Sequence, residues 1–251
     1  MRRMKIWMLL VCITHVAKAQ VVFTKELFVQ GNDTLRYQLL APANYDPAHT
    51  YPLLVYLHGS GQRGSDNKAP LSKLAPIFTS DSFRNAYPCY LLVSQCPRGD
   101  AWVNFPDFPQ SLHATDTATR AGRLVLALVE EMRSKANIDK RRVYLTGYSM
   151  GGEGTLDLLA RKPEMFAAAI ALCPVADTAN APILKRKPIW IFHGDKDAVN
   201  DVKYARMMVA ALKTVSSPII YTEYAGEGHQ LDNRAYNEPD LFKWLFKQKL
   251  K

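Results

Sequence analysis

Three residues far apart in the chain have the types and the order needed for nucleophilic catalysis. Ser149 lies in Gly147-Tyr148-Ser149-Met150-Gly151, a G-x-S-x-G pattern. A serine hydroxyl is a weak nucleophile unless a base takes its proton and an acid orients that base. His229 follows Gly226-Glu227-Gly228, and Asp195 and Asp197 follow Ile191-Phe192-His193-Gly194. Either aspartate could reach the imidazole. Serine, acid, histidine is one of the orders in which such a constellation occurs. Each piece alone is ordinary: a tight turn, an exposed loop histidine, a turn-capping aspartate. Together, in this order, they point to hydrolysis through a covalent acyl-serine.

The elements that would carry them can be read from the apolar pattern. Residues 143–146, just before the serine, are β-branched, aromatic and apolar, as in a buried strand. Residues 152–160, just after it, are helical in pattern, with Leu156, Leu158 and Leu159. A strand, a glycine-flanked turn and a helix leave the serine exposed at the carboxyl end of a sheet. Further strands are expected at 22–29, 34–40, 53–57, 90–95, 167–172, 189–192 and 218–224. Helices are expected at 81–87, 116–136, 203–214 and 239–250. Alternating strands and helices after an opening hairpin predict a mostly parallel sheet with helices on both faces. Loops at the carboxyl ends of parallel strands share one edge, which brings Ser149, the aspartates and His229 together. His58-Gly59-Ser60-Gly61 leaves strand 53–57 at the same edge. A backbone amide of this loop, assigned to Ser60, and the Met150 amide are candidates to bind an oxyanion.

Residues 1–19 read as a leader: basic Arg2, Arg3 and Lys5, an apolar stretch at 6–17, then Ala17-Lys18-Ala19 before Gln20. Leu10-Val11-Cys12 lacks the small residue of a lipoprotein signal. Residues 20–251 then form one catalytic domain, exported to a periplasm or secreted, without a membrane span. Loss of the leader removes four of the basic residues behind the formal charge of +9. The remaining charges are scattered, which argues against nucleic acid as a partner. A monomer or weak homo-oligomer is expected. Cys89 and Cys96 flank a strand some 23 Å long, beyond the roughly 7 Å a disulfide tolerates. Cys173 belongs to a different strand end, so free thiols are expected. Zinc spacings are absent, and no metal or cofactor is expected.

These residues resemble the α/β-hydrolase superfamily. The similarity is greatest to secreted predicted peptidases related to dienelactone hydrolases, polyhydroxybutyrate depolymerases and feruloyl or acetylxylan esterases. It is carried by 57–67 (Leu-His-Gly-Ser-Gly-Gln-Arg-Gly-Ser-Asp-Asn), by Ser94-Gln95-Cys96-Pro97 with Trp102, and by the serine turn. Trp190-Ile191-Phe192-His193-Gly194 with Asp197, and Tyr221-Thr222-Glu223-Tyr224 with Gly228-His229, complete it. The resemblance implies an α/β-hydrolase fold with Ser149 as nucleophile, Asp197 rather than Asp195 as acid, and His229 as base. The chain departs from the group's pattern at Glu153, at residues 173–177 and at residues 230–232, which makes Glu153 and Leu231 candidates to line the substrate site. Arg63 is a further candidate, for a substrate carboxylate, and Trp102, Phe105 and Phe108 for an aromatic wall.

Only fifteen residues separate Cys173 from Ile189, where cap domains of this superfamily enter. Without a cap the site should be open. This favours a carboxylesterase for short-acyl, acetyl or feruloyl esters, on small molecules or plant polysaccharides. The other readings are a peptidase of prolyl-oligopeptidase type and a non-catalytic carbohydrate-binding relative.

Overall fold

The computed structural model describes residues 21–135 and 137–251; the leader read at 1–19 lies outside them. The chain opens with a hairpin, β1 (Phe23–Gln30) and β2 (Asp33–Leu40), followed by β3 (Tyr51–Leu57), α1 (Asp81–Ala86), β4 (Tyr90–Gln95) and α2 (Arg120–Ser134). Then come β5 (Ile138–Tyr148), α3 (Met150–Arg161), β6 (Ala168–Leu172), α4 (Ala181–Leu184), β7 (Ile189–Gly194), α5 (Val202–Thr214) and β8 (Ile219–Tyr224). Helices α6 (Asp232–Tyr236) and α7 (Leu241–Lys247) follow. All eight strands join one sheet in the order β1-β2-β4-β3-β5-β6-β7-β8. Only β1–β2 and β2–β4 pair antiparallel; every other neighbour is parallel. This is the α/β-hydrolase fold expected from the alternation.

Strand β3 shows why both faces must be covered. Leu53, Val55 and Leu57 enter a core shared with α2, α3 and α5, while Leu54 and Tyr56 enter a second core on the opposite face. All seven residues of β3 are buried. Such a strand has no polar face to give to water, hence its unbroken apolar run. The second core is largely aromatic. Phe83 of α1 and Phe242 of α7 meet edge to face with centroids 4.7 Å apart, and Phe78 meets Tyr236 of α6 at 4.8 Å.

Two boundaries differ instructively from the sequence reading. Strand β5 begins at Ile138, not at 143, because Ile138 pairs with Tyr51 and the register then shifts before Leu53 pairs with Val143. The shifted residues are polar, and Arg142 bonds back to Asp139 at 2.6 Å, so no apolar pattern marks them. Helix α2 starts at Arg120, not 116. Thr119 is its cap: Oγ1 accepts from Gly122 N at 3.0 Å and donates to Trp102 O at 3.2 Å. The carbonyls of Thr115 and Asp116 are taken by the Arg161 guanidinium. Helix α6 had no visible apolar period, being five residues long.

Loss of a cap hydroxyl costs about 1 kcal/mol, more where it serves two partners. Thr119→Ala should therefore lower the urea-unfolding free energy by about 1–2 kcal/mol; an unchanged midpoint would show that Thr119 does not fix the start of α2.

Candidate active site

The turn between β5 and α3 places Ser149. Its backbone is at φ 57°, ψ −123°, outside the regions a non-glycine residue normally occupies. Ser149 N donates to Leu172 O at 2.9 Å, and Glu153 N donates to Ser149 O at 3.0 Å, so the strained residue is tied both to β6 and to its own helix. The turn passes so close to its neighbours that side chains are excluded. A Cβ on Gly151 would sit 1.9 Å from Leu57 O, and one on Gly152 would sit 2.4 Å from Leu172 O.

The structure brings Ser149, His229 and Asp197 into one chain of hydrogen bonds. Ser149 Oγ lies 2.8 Å from His229 Nε2, and His229 Nδ1 lies 2.7 Å from Asp197 Oδ2. Asp197 Oδ1 accepts from the amides of Val199 at 2.8 Å and Asn200 at 2.9 Å. His193 Nε2 is 3.2 Å from Asp197 Oδ2. Burial works against the charge on Asp197, but the bonds from His229 and the two amides outweigh it and hold the carboxyl below the usual carboxylate range. The anion in turn favours the Nδ1–H tautomer of His229, leaving Nε2 to accept a hydrogen bond from the Ser149 hydroxyl. Asp195 acts at a different point, where its Oδ1 accepts from Gly226 N at 2.7 Å and closes the loop that carries His229.

A cavity of about 450 Å³ opens over this chain. Ser149, His229 and Tyr148 form its floor. Gly59, Ser60, Gly61 and Gln62 line one side, and residues 72–76 another, with Gln230 and Asp232 beyond His229. Ser60 begins a 3₁₀ turn and Met150 begins α3. A residue that begins a helical turn has no intrahelical acceptor for its amide, so both amides suit an oxyanion. The loop after β3 is fixed from below by buried amides. Gln95 Nε2 donates to Gln62 O at 3.1 Å and Asp66 Oδ1 at 2.9 Å, and its Oε1 accepts from Asn67 N at 2.7 Å.

Other residues picked out from the sequence sit elsewhere. Trp102 is fully buried and donates from Nε1 to His58 O at 2.9 Å, with Gly154 making room for it, so it is a core residue and not a cleft wall. Phe108 packs on Tyr204, centroids 5.4 Å apart, and Phe105 lines a separate void of about 10 Å³. The expected aromatic wall does not form over Ser149. Leu231 points into the core at 1 % exposure; its neighbours Gln230 and Asp232 line the cleft instead. Arg63 donates to Asp100 O at 2.6 Å and lines a different groove of about 520 Å³ with Asp100, Asn104 and Arg120. Glu153 turns away from the cleft to Asn200, whose Nδ2 is 3.1 Å from its Oε1. Asn200 carried no signal in the sequence. Donor atoms of Cys173, His193 and Asp197 come within 4.8 Å of one another. Burial keeps the thiol protonated and the Asp197 oxygens are already committed, so this set suits hydrogen bonding better than a metal ion.

Comparison with known proteins agrees with this fold. Residues 104–240 match the model of the dienelactone hydrolase family. The chain is 26 % identical over 205 residues to a bifunctional acetylxylan esterase/xylanase of Neocallimastix patriciarum, covering 81 % of this chain and 27 % of that protein. A thermostable esterase of known structure superimposes with a TM-score of 0.79 at 31 % identity, over 90 % of this chain and 63 % of its own. Porphyromonas gingivalis dipeptidyl peptidase 4 superimposes with a TM-score of 0.68 at 17 % identity, over 91 % of this chain and 36 % of its own, a likeness of fold alone. The chain thus spans about a quarter of the first relative and under two thirds of the second.

Two buried histidines frame the site: His193 contacts Asp197, and His58 lies under the Ser60 loop. His58 Nδ1 donates to Gly59 O at 2.7 Å, while Nε2 accepts from Cys96 N at 2.9 Å. A second proton would set N–H against N–H. Burial draws its pKa down to about 4. The folded value lies below the ordinary 6.5, so the stability tied to neutral His58 is full above pH 6.5. It is lost as pH falls toward 4, by up to about 3 kcal/mol. Imidazole ¹⁵N NMR should find His58 neutral and protonated on Nδ1 down to about pH 5. A midpoint near the ordinary 6.5 would show that the ring is not locked under the Ser60 loop.

Proposed function

Because this chain belongs to the dienelactone hydrolase family, we propose that it is a serine hydrolase of carboxylic esters, with Ser149 as nucleophile, His229 as base and Asp197 as acid. The observation that carries the reading is the continuous chain from Ser149 Oγ through His229 to Asp197, at 2.8 and 2.7 Å, beneath an open cavity. Ser149 Oγ attacks the ester carbonyl as its proton passes to His229 Nε2. Asp197 stabilises the imidazolium that forms. The Ser60 and Met150 amides receive the negative charge on the former carbonyl oxygen. Collapse expels the alcohol, which takes the proton from His229 and leaves an acyl-Ser149. Water, deprotonated by His229, attacks this ester in turn; the carboxylic acid leaves and the serine hydroxyl is restored.

The cleft supports a short acyl group on a polar alcohol. Gln62, Ser72, Lys73, Gln230 and Asp232 supply hydrogen-bonding groups around it, while Tyr148, Leu74, Ala75 and Pro76 supply a limited apolar patch. Among the described residues no cap covers it: residues 174–188 hold only a 3₁₀ turn and the four residues of α4. Acetyl or feruloyl esters of plant polysaccharides fit such an open, polar site, and the acetylxylan esterase described above is a relative with that activity in its name. The hydrogen-bonded serine argues against a purely carbohydrate-binding role. With residues 1–19 as a leader, the enzyme would act outside the cytoplasm.

Ser149→Ala should lower ester hydrolysis on the order of 10³-fold or more with folding unchanged. Asp197→Asn should cost far more activity than Asp195→Asn. Retention of over a tenth of wild-type kcat by Ser149→Ala would remove this serine from the mechanism.

On p-nitrophenyl esters, kcat/KM should peak at acetate to butyrate. A pocket that buried each added methylene would gain roughly 0.8 kcal/mol per step, so a steady rise through octanoate would refute the open-cleft reading. Acetylated xylan and methyl ferulate should be cleaved faster than peptide amides.

A further inference from the structure

Asn200 contacts neither Ser149 nor His229 in the hydrogen-bond chain, yet it bonds to four pieces of the frame around them. Its backbone N donates to Asp197 Oδ1 at 2.9 Å. Its carbonyl accepts from His193 Nε2 at 2.8 Å. Its side-chain Nδ2 donates to Cys173 O at 2.8 Å and to Glu153 Oε1 at 3.1 Å. The residue is buried. Both acceptors facing Nδ2 are oxygens, which fixes the orientation of the amide, because only its NH₂ end can donate to both.

These bonds join parts of the site that arrive from different strands. Glu153 lies in the first turn of α3, and its own N–H is bonded to Ser149 O, so its side chain moves with the nucleophile. Cys173, at φ 49°, directly follows β6. Asp197 and Asn200 belong to the turn after β7. We propose that Asn200, through Glu153, is the positioning residue that fixes the acid relative to the nucleophile, and so holds the His229 ring at bonding distance from both. This rests on the serine-hydrolase reading and deepens it.

The chemistry of the pair decides which substitutions matter. A Glu153 carboxyl accepts from Asn200 whether or not it is ionised, and burial pushes its pKa up to about 7, so both forms occur near neutral pH. What the site needs from position 153 is an acceptor oxygen, not a charge. Glutamine supplies that acceptor; leucine does not. At position 200, alanine removes both donors, and aspartate turns an acceptor toward two acceptors.

The test uses the full-length enzyme on p-nitrophenyl acetate with Asn200→Ala, Asn200→Asp, Glu153→Leu and Glu153→Gln, and with Ser149→Ala as the reference for the underlying reading. Asn200→Ala and Asn200→Asp should lose about 10- to 100-fold in kcat with KM within about threefold, since a misplaced base slows the chemical step without emptying the cleft. Glu153→Leu should lose kcat in the same way, and Glu153→Gln should retain at least half. In the double variant Asn200→Ala/Glu153→Leu the losses should not multiply, because the Glu153–Asn200 bond is lost in both single variants. The low-field proton resonance of His229 Nδ1 should weaken in Asn200→Ala and persist in Glu153→Gln. If the asparagine variants do not fold, the leucine and glutamine variants at 153 still decide the matter. Wild-type kcat in Asn200→Ala or Glu153→Leu, with Ser149→Ala inactive, overturns the positioning role alone. An equal loss in Glu153→Gln and Glu153→Leu overturns it too, by showing that the charge is what counts. Activity in Ser149→Ala instead overturns the serine-hydrolase reading beneath it.

Discussion

Three backbones converge where β5 turns into α3, and their contact leaves no room for a side chain. Cβ atoms on Gly147, Gly151 and Gly152 would lie 2.3, 1.9 and 2.4 Å from the carbonyl oxygens of Gly151, Leu57 and Leu172. Those distances are far inside van der Waals contact, so the glycines are a steric requirement of the packing. The close approach sets the positive φ of Ser149, and the amide bond to Leu172 O keeps it there. Strain of this kind costs of order 1–3 kcal/mol and survives only when the surroundings over-determine it. Here they do: β3 and β6 grip the turn from either side, and both strands are fully buried. The placement of the Ser149 hydroxyl in the cavity lining is therefore a product of the sheet's central packing and not of a loop's own preference.

The electrostatics follow from the same burial. Asp197 can remain an anion in the interior because donors from the acid turn, from His193 and from His229 surround it. His58 and His193 are the opposite case. Each is fully buried and drawn toward the neutral form by loss of solvent, and each uses its ring as a rigid polar spacer. His58 links the Gly59 and Cys96 backbones; His193 links β7 to Asn200. Of these three histidines only His229 lines the cleft, with a hydroxyl on one side and a carboxylate on the other. A positive charge formed on that ring has a partner, whereas one on His58 would meet an N–H.

The fold was largely legible because its signals are long: buried strands read as apolar runs, helices as repeating leucines. The order of Ser149, Asp197 and His229 was legible for a related reason, since loops at one sheet edge must meet. Spacing left the choice between Asp195 and Asp197 open and the family resemblance favoured Asp197; in the structure Asp195 bonds to Gly226 and Asp197 to His229. The cleft lining was poorly legible. Side-chain direction decides it, and type and spacing do not reveal direction. Trp102 suggested a wall and is a core residue, because its N–H finds a carbonyl inside and Gly154 gives it space. Leu231 suggested a contact and is core, while the polar residues on either side of it face the cavity. Asn200 could not have been found at all, since its importance lies in four bonds to segments remote in sequence.

With no cap among the described residues, much of the cleft is shaped by the segment between β3 and α1. That segment runs from Gly59, beside the nucleophile, to Pro76, on the far wall. Its near half is pinned by Gln95 and Asn67 against the sheet. Asn67 Nδ2 donates to Tyr37 O at 2.8 Å, and Gln38 donates to Asn67 O, so even the antiparallel hairpin contributes to holding it. Its far half packs differently, through Ala75 and Phe78 in the aromatic core above α1 and α7. A fixed near half is what an oxyanion site requires, because donors must be in place before charge develops. On the proposed function the far half would meet the parts of a substrate that do not react, and it is anchored by apolar packing. The proposed function would thereby separate chemistry and substrate choice along one loop, the first half tied to the sheet by hydrogen bonds and the second resting on an apolar core.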